Sequence, residues 1–198
     1  MKKIITILIA SIAITSCNMF MEKDLTNSEA ISAIQSEMEK YIEDLDQLNI
    51  VKINLSAGAL SKDIKTVEIS YSKDTKIAKK WLHIGQSGRL IDGKAAVILR
   101  DSMSQRTSKK ISNFNFKEIK TNLGKAIILV QEEMPNYEYA GVSSYDMFSG
   151  VANNPQTDRF NIQFTDKNKS NHVEGRNIVT DYYEYTCFAT NGKITFDD

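Results

Sequence analysis

Apolar positions along this chain switch twice from a helical to an alternating rhythm. Thr26-Asn27-Ser28-Glu29 carries a capping box, in which a threonine hydroxyl and a glutamate carboxylate satisfy free amides at a helix start. Ile31, Ile34, Met38, Tyr41 or Ile42, and Leu45 follow at spacings of three and four. That stripe predicts one amphipathic helix to about Leu48. Period two then takes over, in Val51, Ile53 and Leu55, in Val67, Ile69 and Tyr71, and in the run Trp81 to Ile84. Ala95 to Leu99 is nearly all apolar and predicts a strand covered on both faces. Asp92-Gly93 before it is a tight-turn pair, since both residues tolerate positive φ.

The same order returns in the second half. Asn115 and Glu118 form another capping pair, and Phe116, Ile119, Leu123, Ala126 or Ile127, Val130 and Met134 make a helical stripe. Pro135 ends it, because the residue before a proline is pushed out of the helical region. Alternating runs follow around Tyr139 to Tyr145, Phe160 to Phe164, Ile178 to Phe188 and Ile194 to Phe196, with Asn191-Gly192 before the last. Val67-Glu68-Ile69-Ser70-Tyr71 resembles Phe160-Asn161-Ile162-Gln163-Phe164, and Asp92-Gly93-Lys94 resembles Asn191-Gly192-Lys193.

The expected fold class is therefore α+β, with two tandem units, each a helix packed on an antiparallel sheet of about four strands. The units span residues 26–100 and 114–198, joined by a polar linker over 101–113. In element order over residues 26–198 this is similar to the tandem units of beta-lactamase-inhibitor-like proteins and to the PepSY-type modules of bacterial envelopes. That resemblance implies a fold and transfers no functional residue.

The first residues are an address. Lys2 and Lys3 precede about a dozen apolar residues from Ile4, too few to span a bilayer that takes ~20. A basic start, a short apolar middle and small residues at the end make a secretory signal over residues 1–16. Ile14-Thr15-Ser16-Cys17 resembles the lipobox of bacterial lipoproteins, with isoleucine where leucine is more usual. The resemblance implies that Cys17 becomes the acylated mature N-terminus and that residues 17–25 are a lipidated tether. Each buried methylene contributes ~0.8 kcal/mol, so two or more chains hold firmly where one would be marginal. Expected partners are thus a membrane, through this lipid, and a protein or peptide. In a Gram-negative host, Asn18 in place of aspartate points to the outer membrane.

Composition narrows the chemistry. The 198 residues carry 25 basic and 25 acidic side chains, so nothing draws the chain toward nucleic acid. Apolar residues at 41% suffice for a core. With Cys17 lipidated, Cys187 has no disulfide partner and fits a small buried hydrophobe better than a nucleophile. His83 and His172 are the only imidazoles, 89 positions apart, which leaves no metal set. No GxSxG elbow and no phosphate-cradling loop occur; Gly85 to Gly88 fits a turn, and Glu132-Glu133 and Asp197-Asp198 fit exposed surface. No cofactor and no catalytic residue are expected.

The tyrosines of the second half are the best lead. Tyr137, Tyr139, Tyr145, Tyr182, Tyr183 and Tyr185 cluster there, and tyrosine is enriched at recognition surfaces. Alternation puts Tyr183, Tyr185 and Cys187 on one face, and Tyr182, Glu184, Thr186 and Phe188 on the other. Rings that fill the core are the competing explanation. Two functions follow: an envelope-anchored, non-catalytic binding or inhibitory module acting through a sheet face, or an envelope hydrolase or small-ligand carrier with a pocket near His83 or His172.

Overall fold

The computed structural model describes residues 24–42, 44–73, 76–84, 90–92, 107–150, 156–169, 171–174 and 177–197. The signal over 1–16, Cys17, the apolar run Ala95 to Leu99, Gly93, and linker residues 101–106 lie outside the described residues.

Helix α1 (Ser28–Tyr41) starts one residue later than the capping box predicts. Asn27 is its N-cap, and its side chain accepts from the Glu29 amide at 2.9 Å. The helix also ends earlier than expected, at Tyr41, where Ile42 leaves the helical region. Asp44 turns the chain with φ 53°, and Leu45 reaches the core from that turn, being 3% exposed. Burial of Leu45 in a turn kept the three-four spacing running past the real helix end. Helix α2 (Phe116–Glu133) stops at Met134, the residue before Pro135.

The strands are β1 (Asn49–Ala57), β2 (Ile64–Lys73), β3 (Lys76–Ile84), β4 (Leu90–Asp92), β5 (Tyr137–Phe148), β6 (Thr157–Asp166), β7 (His172–Glu174), β8 (Asn177–Val179), β9 (Tyr183–Thr190) and β10 (Lys193–Phe196). Asn191 and Gly192 both take positive φ, 52° and 75°, in the two-residue turn between β9 and β10. Asn-Gly is the dipeptide such a turn favours.

Two tandem helix-on-sheet units are not what forms. Seven strands of four residues or more and the three-residue β4 make one continuous antiparallel sheet, ordered β10-β9-β6-β5-β1-β2-β3-β4. β7 and β8 form a separate small hairpin. The correction has a physical cause. Two separate sheets would each expose the backbone groups of a long first strand, β1 or β5, as an open edge. Here those two strands pair with each other, Ile53 opposite Met147 and Leu55 opposite Tyr145.

The core is correspondingly single. Ile31, Ile34 and Met38 of α1, Ile119, Leu123 and Ala126 of α2, and Ile53, Leu55, Val67, Phe160 and Phe164 of the sheet belong to one buried cluster. Both helices touch each other and the sheet, so they cover the same face. Part of residues 107–113, from the expected linker, is tied to the sheet and the core. Lys109 exchanges two backbone hydrogen bonds with Ile50 at 2.9 Å, and Ile111 is buried. Leu25, at the end of the expected tether, is fully buried as well.

Candidate functional site

Alternation along each strand puts every second side chain on the face away from the helices. That face carries Lys52 and Asn54 of β1, Glu68 and Ser70 of β2, Lys79 and Trp81 of β3, Asp146 and Phe148 of β5, Arg159 and Asn161 of β6, and Glu184, Thr186 and Phe188 of β9. Both described helices lie on the opposite face. Eight strands spaced ~4.8 Å apart give it a width of about 34 Å.

Two carboxylates organise this face. Asp146, with its side chain 2% exposed, accepts from Lys52 Nζ at 3.2 Å, Asn54 Nδ2 at 2.7 Å and Arg159 at 2.9 Å. These partners come from both sides of the β1–β5 seam. Glu68 accepts from Trp81 Nε1 at 2.8 Å and Ser70 Oγ at 3.3 Å, and pairs with Lys79 Nζ at 2.6 Å. A carboxylate with three partners is held in place. The groups around it are held too: the Lys52 ammonium sits 5.8 Å from the Phe148 ring centre, and Lys79 5.9 Å from that of Trp81. Arg159 keeps half its side-chain surface in solvent, 51%, opposite Phe188 of β9. Such groups lose little rotamer freedom when a partner arrives.

One end of the face is shaped by the β1–β2 loop. Leu60 takes φ 52°, a left-handed conformation that is costly for a leucine, and its N–H donates to Gln163 Oε1 at 2.6 Å. Gln163 in turn donates to Glu184 at 2.7 Å. A methyl group at Gly141 would collide with the backbone of Ser61, so only glycine lets this loop lie against β5.

The six tyrosines singled out from the sequence do not form one surface. Tyr145 is fully buried under the helices, stacked 5.0 Å from Phe160. Its hydroxyl donates to Asp158 at 2.9 Å and accepts from Asn122 at 3.0 Å. Burial pushes both the Tyr145 hydroxyl and the Asp158 carboxyl upward from their ordinary values; hydrogen bonds from Gln156 and Tyr145 oppose the shift at Asp158. Tyr139 is held between the ring of Phe164 and Lys62, and burial raises its hydroxyl also. Tyr185 donates to the Met134 sulfur at 3.2 Å. Tyr183 meets Tyr137 edge to face at 5.0 Å, and Tyr182 and Tyr183 are each 42% exposed. The exposed tyrosines therefore lie at the start of β9, away from the Asp146 and Glu68 clusters, which sequence reasoning missed.

Those clusters had a signal. Each member is the polar half of an alternating strand, but pairing across 94 positions, as between Lys52 and Asp146, depends on the seam. Cys187 is buried and unpaired, its thiol pushed up to about 12 by burial, so it is no nucleophile at neutral pH. His83 is exposed, with Thr66 Oγ1 3.5 Å from its ring. His172 begins β7. Among the described residues no three His, Cys, Asp or Glu side chains come together as a metal set. No described helix is long and apolar enough to cross a membrane. The chain matches no family model, no curated protein and no solved structure.

Proposed function

We propose that this chain is a lipid-anchored, non-catalytic binding module of the bacterial envelope that engages a protein or peptide through the open face of its sheet. The observation that carries the reading is the pair of triply bonded carboxylates, Asp146 and Glu68, beside half-buried Trp81, Phe148 and Phe188 on the face opposite the helices. Aromatics and arginine held rigid around desolvated polar centres are the composition of binding hot spots. The hydrolase or carrier alternative needs a pocket at His83 or His172, and His83 stands on exposed surface with Thr66 as its hydrogen-bond partner. Anchorage rests on the lipobox-like Ile14-Thr15-Ser16-Cys17.

Two experiments test the two parts. Affinity capture with the full chain is expected to retain a partner that Arg159→Ala and Trp81→Ala lose while Ser36→Ala, on the exposed side of α1, keeps it. Equal retention by all three contradicts the binding face. Labelled palmitate is expected to enter the native chain and not Cys17→Ser; no label with Cys17 intact contradicts the anchor.

A further inference from the structure

The outer surface of α2 carries charges that suit the helix dipole at one end and oppose it at the other. Glu118 stands in its first turn, beside Lys117, and offsets that cation at the positive end of the dipole. Glu132 and Glu133 stand in its last turn, which holds no basic residue, where the negative end disfavours anions. Between Lys125 and Glu132 lie Ile128, 57% exposed, and Leu129, 37% exposed, the only large aliphatic side chains so exposed among the described residues. They border a shallow groove of about 370 Å³ closed on its other side by Gly192 and Ile194 of the β9–β10 hairpin. Lys125 Nζ donates to the Gly192 carbonyl at 2.8 Å, which fixes the ammonium at the groove and leaves two of its donors for another acceptor.

The pattern Lys125, Ile128, Leu129, Glu132 is self-complementary. Lys125 and Glu132 lie equally far on either side of the point between Ile128 and Leu129. If a second α2 runs antiparallel through that point, Lys125 faces Glu132 of the other copy twice, and Ile128 packs on Leu129 twice. From this geometry we infer that the outer face of α2 is a two-fold docking surface for a second copy of this chain. The second copy supplies the cation that the last turn of α2 lacks and covers the two exposed aliphatics. A closed two-fold contact of this kind stops at the dimer. The patch is small, so the association is weak and shows at high concentration. The open face of the sheet stays free in such a pair, because α2 is on the opposite side.

Cysteine pairing tests the register. Lys125 and Glu132 are about 10.5 Å apart along the helix, too far for a disulfide within one chain. Full chain carrying Lys125→Cys, mixed with full chain carrying Glu132→Cys, is expected to form a disulfide-linked dimer under mild oxidation. Either variant alone is expected to stay at the baseline set by the native chain, with peptide mapping to exclude Cys17 and Cys187. Equal cross-linking in all samples, or none in the mixture, overturns the proposal. Sedimentation of the uncross-linked chain gives an independent reading. Lys125→Glu or Glu132→Lys alone should weaken dimerisation about threefold to tenfold, and the double swap should restore it. A chain that sediments as a monomer at every concentration it can reach also overturns it.

Discussion

The two faces of the sheet are built from the same strands yet do different work. On the covered face, Ile53, Leu55, Met147, Phe160 and Phe164 are fully buried in one core with residues of both helices. The polar groups there, Tyr145, Asp158 and Asn122, satisfy one another. On the open face the order is reversed: polar groups form the centres at Asp146 and Glu68, and aromatics stand around them. Stability should therefore depend on the first face and recognition on the second. Adjacent strands let this be tested with neighbours: Phe160 of β6 faces the helices, while Phe188 of β9 is opposite Arg159 on the other side.

The largest expected effect is Phe160→Ala, which removes a fully buried ring and its stacking on Tyr145, at a cost of about 3–5 kcal/mol in denaturant unfolding. Phe188→Ala should cost less than half as much; equal losses would break the contrast between faces. Next is Tyr145→Phe, which leaves Asp158 and Asn122 short of a buried partner and should cost about 1–3 kcal/mol. Asp146→Ala follows at about 1–2 kcal/mol, because Arg159 can swing into water once the carboxylate is gone. Arg159→Ala alone should change stability by no more than ~0.5 kcal/mol while removing the exposed part of the binding face.

Asp158 sharpens the comparison through pH. Burial raises its folded-state value above the unfolded one, near ~3.9, so folding favours the protonated form. That contribution is complete below the unfolded value and is lost as pH rises through the raised one. Asp158→Asn cannot ionise. Its stability relative to the native chain should therefore improve as pH climbs from about 4 toward neutrality. A gap that stays constant or worsens would contradict burial as the dominant cause.

Much of the covered face was legible in the sequence. The alternation in β1, β2 and β6, the face shared by Tyr183, Tyr185 and Cys187, the stop at Pro135 and the turn at Asn191-Gly192 all follow from local chemistry. The β1–β5 seam was not legible. It joins Ile53 to Met147 through backbone hydrogen bonds, which have no side-chain signature. Everything that depends on the seam was hidden with it, including the Lys52–Asp146–Arg159 cluster. Tyrosine density misled for a related reason: composition counts Tyr145 and Tyr183 alike, whereas the packing of the helices buries one and exposes the other.

The most direct measurement places a photo-reactive benzoylphenylalanine at Thr186, on the open face, and separately at Ser36, on the exposed side of α1, in the full chain within its native envelope. A discrete adduct from Thr186 and none from Ser36 is the predicted result. Adducts of equal yield at both positions, or an adduct at Ser36 alone, would contradict recognition through the open face.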